Sequence, residues 1–183
     1  MLACLLGALL AAPPPTTRTF TLACDTPLGR MKSQETYTFA PAEDPVRAGQ
    51  LARFRVEVPA PTLVPPLRTH FLAAMITLAL PSGLALEGVR PEASVTADYS
   101  SVEARPAGDS VVVTLRGDFV LDGRPRPVPP IVIDARVTAP AGVTLDWMPP
   151  DIEGVARAPL LGTQASRCRI VDQGPLGETH VSP

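Results

Sequence analysis

Alternation of apolar and polar residues is the dominant pattern in this chain, and it predicts β-strands along most of its length. The clearest case is residues 50–58, where Phe54, Val56 and Val58 point one way while Arg53 points the other. This is the half-buried pattern of an antiparallel sheet. The same reasoning predicts further strands at 17–24, 35–39, 84–89, 93–99, 110–116, 118–121, 131–137, 143–147 and 167–171.

One apolar run, Phe71–Leu80, leaves two structures open, a buried strand or a short helix, because periodicity alone does not separate them. Read as a strand, it places Leu72 and Ile76 on one face, with Phe71 and Met75 on the other. We favour the buried strand. The run is too short to span a membrane as a helix, which needs about 20 residues.

Proline shapes the rest of the pattern, since the chain contains 23 prolines among 183 residues. Proline lacks the amide hydrogen that helices and central strands need, so short strands joined by turns fit best. The connections are too short for crossover helices. We therefore predict an all-β protein, an immunoglobulin-like antiparallel β-sandwich of about 8–10 short strands. It occupies residues 17–172, and the polar tail 173–183 is predicted to be disordered.

The N-terminal segment 1–16 is interpreted as a signal peptide followed by a proline-rich joint. Leu2–Ala12 is an apolar run of signal-peptide length. No basic residue precedes it, and Pro13 stands where cleavage is expected. Either the true start lies upstream or cleavage follows the prolines. The interpretation predicts a secreted or cell-surface protein with no transmembrane span in its mature form.

Three cysteines are present, and Cys4 would leave with the leader. The remaining pair, Cys24 and Cys168, is even in number and lies near the two ends of the domain. In an exported protein such a pair indicates a disulfide. Strand alternation points both sulfur atoms toward the core. The alternative is two unpaired buried cysteines.

Charge and ligand types exclude several classes of function. The net charge of −2 argues against nucleic-acid binding, which requires a basic face. No set of cysteines and histidines has the spacing of a metal site, so no metal and no cofactor are predicted. Asp118, Asp122 and Asp134 could gather around calcium, but their spacing does not match a helix-loop-helix calcium loop.

Candidate catalytic and adhesive motifs have simpler structural explanations. Gly108–Ser110 resembles the nucleophile block of lipase-like hydrolases, yet it lies between strand-like runs and is better explained as a hairpin turn. Arg116–Asp118 is an integrin-type tripeptide that also fits a strand end or a bulge. The histidines available as general bases are His70, at a strand edge, and His180, in the tail. No catalytic residues are assigned.

The segment Cys24-Asp25-Thr26-Pro27-Leu28-Gly29, together with the closing Cys168, resembles a group of secreted actinobacterial β-sandwich domains of unknown function. In that group a Cys-x-x-Pro-Leu opener begins the domain and a later cysteine pairs with the first. The resemblance implies an immunoglobulin-like sandwich and an extracellular location. It implies no catalytic residue. Gly29 follows Leu28 directly here, which departs from the family pattern.

These observations predict a non-enzymatic module that binds an extracellular protein or a cell-wall partner through a sheet face or loops. The alternative is a carrier of an apolar small molecule or lipid between the sheets, lined by Phe71–Leu80. A hydrolase using a carboxylate pair is a third hypothesis. Trp147 and Met148, beside Pro149, could form an exposed apolar patch, although such a tryptophan more often lies in the core.

Overall fold

The computed structural model describes residues 12–27, 29–59, 62–65 and 67–183, and these ranges contain strands and no helix. Of the segment 1–16 predicted as a signal peptide and joint, residues 1–11 lie outside the described residues. Residues 12–15 have no regular secondary structure. The thirteen strands of the described ranges are β1 (Thr16–Thr26), β2 (Gly29–Pro41), β3 (Val46–Arg47), β4 (Leu51–Glu57), β5 (His70–Ala79), β6 (Leu84–Pro91), β7 (Ser101–Ala107), β8 (Ser110–Val120), β9 (Ile131–Val137), β10 (Thr144–Trp147), β11 (Asp151–Ala158), β12 (Gly162–Ile170) and β13 (Gly177–Ser182).

Ten of these strands form one antiparallel sheet in the order β6-β9-β4-β2-β1-β12-β11-β5-β8-β7. The strands at its two ends, β6 and β7, lie against each other, so the sheet curls back on itself. A second sheet has the order β10-β13-β3, and its β13–β3 pairing is parallel. The predicted class, an all-β antiparallel sandwich, is confirmed, with more strands than the 8–10 expected.

The core lies inside this curled sheet and is built from the inward side chains of both halves. Tyr37, Phe39 and Phe54 are fully buried, and for Phe54 this is the face that strand alternation predicted. Trp147 from β10 packs between two of them, with ring centroids 5.1 Å from Phe39 and 4.8 Å from Phe54. Trp147 is therefore a core residue, while its neighbour Met148 is exposed.

Strand β5 confirms that the ambiguous apolar run is a strand, but its predicted facing is partly wrong. The pairing of β5 with both neighbours shifts between Phe71 and Ala73, which makes Leu72 a bulge residue. A bulge inserts one extra residue and changes which side chains face inward. Phe71 is buried with Ile76, whereas simple alternation had placed Phe71 beside Met75 on the opposite face.

Several strand boundaries differ from the sequence expectation. The strand predicted at 93–99 is absent, and β7 follows it instead. The runs predicted separately at 110–116 and 118–121 form the single strand β8. Strand β11 was not predicted, because its alternation is interrupted by a bulge between Val155 and Ala156. Strand β12 begins five residues before the predicted 167–171.

The C-terminal tail is the largest correction, because residues 177–182 form β13 rather than a disordered segment. Thr179 and Val181 face inward and are buried. Gly177 lies opposite Trp147, and a Cβ atom there would meet the ring of Phe39 at 2.3 Å. Glycine is therefore required at that position for the tail to close over the core. Among the described residues, no helix is long and apolar enough to cross a membrane.

Candidate binding surfaces

The predicted disulfide between Cys24 and Cys168 is present. The two residues lie directly opposite each other on β1 and β12. Both are buried, and with Leu22 they form a small apolar cluster separate from the main core. The bond therefore links adjacent strands of one sheet, and β12 is followed by β13, so it does not join the first and last strands as the sequence suggested.

The two short motifs are structural. Gly108 and Asp109 form the turn between β7 and β8, with Gly108 at a φ of 61°. This is the predicted hairpin turn. Arg116–Asp118 lies within β8, at the bulge opposite Leu72. A Cβ atom on Gly117 would lie 2.6 Å from the backbone oxygen of Asp98, so this tripeptide needs its glycine for packing.

The three aspartates considered for calcium do not form a cluster. In the described part of the chain no three acidic, histidine or cysteine side chains gather as they would around a metal ion. Asp134 contacts Arg53 and Arg90, Asp122 contacts Arg126, and Asp118 contacts His70. Each carboxylate is thus paired with a cationic or imidazole group.

The two histidines lie at separate places, each beside an aspartate. The Nδ1 atom of His70 is 2.8 Å from Oδ1 of Asp118, a hydrogen-bonding distance. His180 is on β13, where its backbone N–H donates to Oδ1 of Asp44 at 3.0 Å. An imidazole held by a carboxylate is one part of a catalytic arrangement. A nucleophile within reach of the ring would be needed to complete it.

Two small apolar cavities lie between the sheet and residues 62–65. Each has a volume of about 60 Å³. Phe71 and Ile76 line the first, as the carrier alternative expected, and Leu63 lies between the two cavities. Sites for drug-sized ligands usually measure about 300–1,000 Å³. The carrier alternative therefore gains no support from the size of these cavities.

Glu35 is the polar group at the wall of the first cavity, and it is almost fully buried. Its Oε1 atom accepts hydrogen bonds from Ser33 Oγ and from Thr62 Oγ1, both at 2.8 Å. The second of these bonds ties residue 62 to the sheet. The Glu35 carboxylate therefore holds the segment 62–65 against the sheet.

The outer surface of β4, β6 and β9 is covered by ion pairs, and we call it the charged face. Arg53 Nε donates to Asp134 Oδ1 at 2.6 Å, and Arg90 Nη1 donates to Oδ2 of the same carboxylate at 2.9 Å. These guanidinium groups hold the pKa of Asp134 below its ordinary value, the bond from Arg53 being the larger cause. The other members of the face pair as Arg55 with Glu57 and Glu92, and Arg136 with Glu87.

The outer surface of β5, β8, β11 and β12 is different, because a patch of uncharged side chains lies at its centre. We call this patch the neutral face. Strand register places its members next to one another across the four strands. They are Ala73, Met75, Thr77, Thr114, Val155 and Ala165. The patch is bordered by charged residues, among them Asp25, Arg116, Glu153 and Arg167.

A shallow open groove of about 570 Å³ runs along the neutral face. Its floor contains Ala73, Gly154 and Ala165, whose small side chains leave room above the backbone. Met75, 37% exposed, stands beside this floor. The groove could receive side chains from another molecule without first breaking strong ion pairs.

Sequence reasoning did not single out the neutral face. The one available signal was that strand alternation puts Met75 on the face of β5 opposite Ile76. The contribution of β11 was missed, because that strand was not predicted.

No protein-family model and no curated protein matches the chain. Among solved structures, it is similar to a cohesin module from Clostridium perfringens ATCC13124 family 33 glycoside hydrolase, with 10% sequence identity and a TM-score of 0.45. The likeness covers 81% of this chain and 96% of the cohesin chain. A likeness of this size does not extend to partners or activity.

Proposed function

We propose that this protein is a non-enzymatic binding module that holds a protein partner against the neutral face. The observation that carries the proposal is the contrast between the two outer faces of one sheet. The charged face satisfies its charges internally, whereas the neutral face presents Ala, Thr, Val and Met side chains to solvent.

Two physical properties suit this face to a protein. Interface centres are depleted in charged residues, because desolvating a charge is costly. Methionine adapts its shape to a partner, and Met75 lies beside the groove. The bordering Asp25, Glu153 and Arg167 would then form the polar rim that surrounds such centres.

Photo-cross-linking tests the proposal directly. A photo-reactive amino acid replaces Met75 in one variant and Leu51 in a control variant, since Leu51 is also exposed and lies away from the neutral face. Both variants are irradiated with the proteins released by the organism that makes the chain. We expect one heterologous protein to be captured through position 75 and not through position 51.

A second variant tests whether the captured protein contacts the neutral face directly. Thr114→Arg, combined with the cross-linker at position 75, adds a charge to the groove and should lower the yield at least tenfold. Thr144→Arg, the same change at an exposed position of β10 in the other sheet, is the matched control and should leave the yield unchanged. Equal capture at positions 75 and 51, or capture only of a second copy of this chain, would refute the proposal.

We further propose that the chain is exported and belongs to the secreted actinobacterial group that its opening motif resembles. The buried Cys24–Cys168 bond supports this, because disulfides persist in oxidising compartments. N-terminal sequencing of the native protein tests export. A start near residues 13–17 in the extracellular fraction is expected, and an intact Met1 confined to the cytosol would contradict it.

A further inference from the structure

One end of the sandwich exposes apolar side chains from two separate segments, and we call this end the apolar tip. The first segment contributes Val64 and Leu67, which are 63% and 40% exposed. The second is the hairpin between β11 and β12, which contributes Leu160 and Leu161. The two segments are neighbours, because Leu161 lines a cavity together with Pro65.

Leu160 is the most unusual residue of the tip. It is fully exposed, with a relative exposure of 104%, so it gains nothing from packing. Its φ of 67° lies in the left-handed region, which L-residues other than Gly, Asn and Asp rarely adopt. An exposed leucine in this conformation is unfavourable for the isolated fold. Backbone strain of this kind is concentrated at sites that bind or act on other molecules.

Two arginines and a histidine lie beside Leu160. Arg68, His70 and Arg157 line a hollow of about 560 Å³ together with Leu160 and the turn residue Pro159. Asp118 balances part of the arginine charge, since its Oδ2 atom lies 3.5 Å from Nη2 of Arg157, while its Oδ1 atom lies 2.8 Å from Nδ1 of His70. Arg68, which directly follows Leu67, adds a further positive charge to this hollow.

We propose that the apolar tip docks on an anionic lipid surface. Leu160 and Leu161 enter the headgroup region, and Arg68 and Arg157 contact the lipid phosphates. Apolar side chains with cations at their base are the combination that binds membrane interfaces. The tip combines exposed leucines with arginines, whereas a protein partner is better matched by the uncharged groove of the neutral face. The proposal is independent of that face.

Vesicle flotation with the full chain measures this binding. The probes are vesicles of phosphatidylglycerol and phosphatidylcholine in equal parts, and vesicles of phosphatidylcholine alone. We expect the protein to float with the anionic vesicles at low salt and to be released as salt rises, because screening weakens the arginine contacts. Binding to neutral vesicles should be at least tenfold weaker.

Substitutions at the tip locate the contact. Leu160→Asn combined with Leu161→Ser should lower anionic vesicle binding at least tenfold. Asparagine tolerates the left-handed φ, so the hairpin should keep its shape. The matched control is Leu51→Ser. Leu51 is 57% exposed and lies beyond the end of β2 that is remote from the tip, and this variant should bind like the parent protein.

Charge reversal separates the roles of leucine and arginine. Arg68→Glu should lower binding to anionic vesicles severalfold and change binding to neutral vesicles little. Arg105→Glu makes the same change at the opposite end of β7 and β8 and should have no effect.

A Leu160→Trp variant adds a direct readout. Its emission should shift to shorter wavelength on vesicle addition, against the constant background of the buried Trp147.

Three results would overturn the proposal. The first is failure of the parent protein to float with anionic vesicles at low salt. The second is equal binding by the tip variants and the parent, with melting temperatures showing that all are folded. The third is capture of a protein by a photo-reactive residue at position 160 without any vesicle binding by the parent, which would make a protein the occupant of the tip.

Discussion

The charged and neutral faces belong to one curled sheet and obey the same strand alternation, yet they use their outward positions differently. On β4, β6 and β9 the outward residues are arginines and carboxylates that pair across strands, as Arg53 and Arg90 do with Asp134. On β5 and β11 the corresponding positions hold Ala73, Met75 and Val155. One face pairs its charges internally, and the other leaves uncharged side chains open to solvent.

The contrast shows that the outward residues of a strand carry information about function, because the fold constrains their chemistry only weakly. Inward residues such as Phe54 and Ile133 must be apolar for the core to form. Outward residues need only tolerate water. An uncharged surface beside a heavily charged one is therefore more informative about function than the core of the molecule.

The largest expected effect comes from the covalent link between the two halves of the sheet. Cys24 lies on β1, next to β2 and the charged face, and Cys168 lies on β12, at the edge of the neutral face. The bond closes a loop of 144 positions. Replacing both residues by alanine should lower the free energy of unfolding by roughly 5 kcal/mol, through the entropy regained by the unfolded chain.

Urea denaturation followed by hydrogen exchange measures that loss and shows where it acts. We expect amides of both faces to lose protection together, since the two halves share one core. Chemical reduction of the parent protein is the control and should reproduce the loss. A change below about 1 kcal/mol would show that strand pairing alone fixes β1 to β12.

A smaller effect is expected at the centre of the charged face. Asp134→Asn should lower the free energy of unfolding by about 1 kcal/mol at neutral pH, because two arginines lose their ionic partner. The pKa of Asp134 is lowered in the folded protein, so its contribution is present above the ordinary value of 3.8 and is lost as pH falls through the lower folded value. The difference between variant and parent should therefore close in acid.

Denaturation at several pH values checks this, with Glu153→Gln beside the neutral face as the control. Glu153 contacts Arg167 at 3.4 Å, and both side chains are largely exposed. Its replacement should cost less than about 0.5 kcal/mol. If the two substitutions have equal effects, the charged face is no better paired than the border of the neutral face.

The smallest effect is expected at the hairpin that joins β11 to β12. Leu160→Asn should raise the free energy of unfolding by about 0.5 kcal/mol, because asparagine tolerates the left-handed φ and no packing is lost. Thermal unfolding measures the change, with Leu161→Ser as the comparison. A loss of stability would mean that Leu160 contributes to the fold and would remove the reason to seek an external partner for it.

Much of the fold could be predicted because the alternation of apolar and polar residues and the positions of the turn residues indicate the same strands. Residues 50–58 gave a strand with the correct buried face, and the turn at Gly108 and Asp109 was placed correctly. The disulfide followed from an even pair of cysteines on inward positions. These inferences depend on local pattern, which the sequence carries directly.

The remaining elements could not be predicted because their patterns depend on distant residues. The bulge at Leu72 reverses the facing of Phe71, and the shift between Val155 and Ala156 conceals β11. The tail forms β13 only because Gly177 fits against Phe39 and Val181 pairs beside Val46. The residues that neighbour these positions in the sequence do not predict those contacts.

The sequence by itself determined the all-β class, the identity of most core aromatic residues and the Cys24–Cys168 pair, because alternation and cysteine count are local properties. Only the tertiary structure decided which outward residues share a surface. Met75, Thr114 and Val155 lie far apart in the chain and become neighbours through strand register alone. Leu160 and Arg68 meet at one end of the sandwich for the same reason.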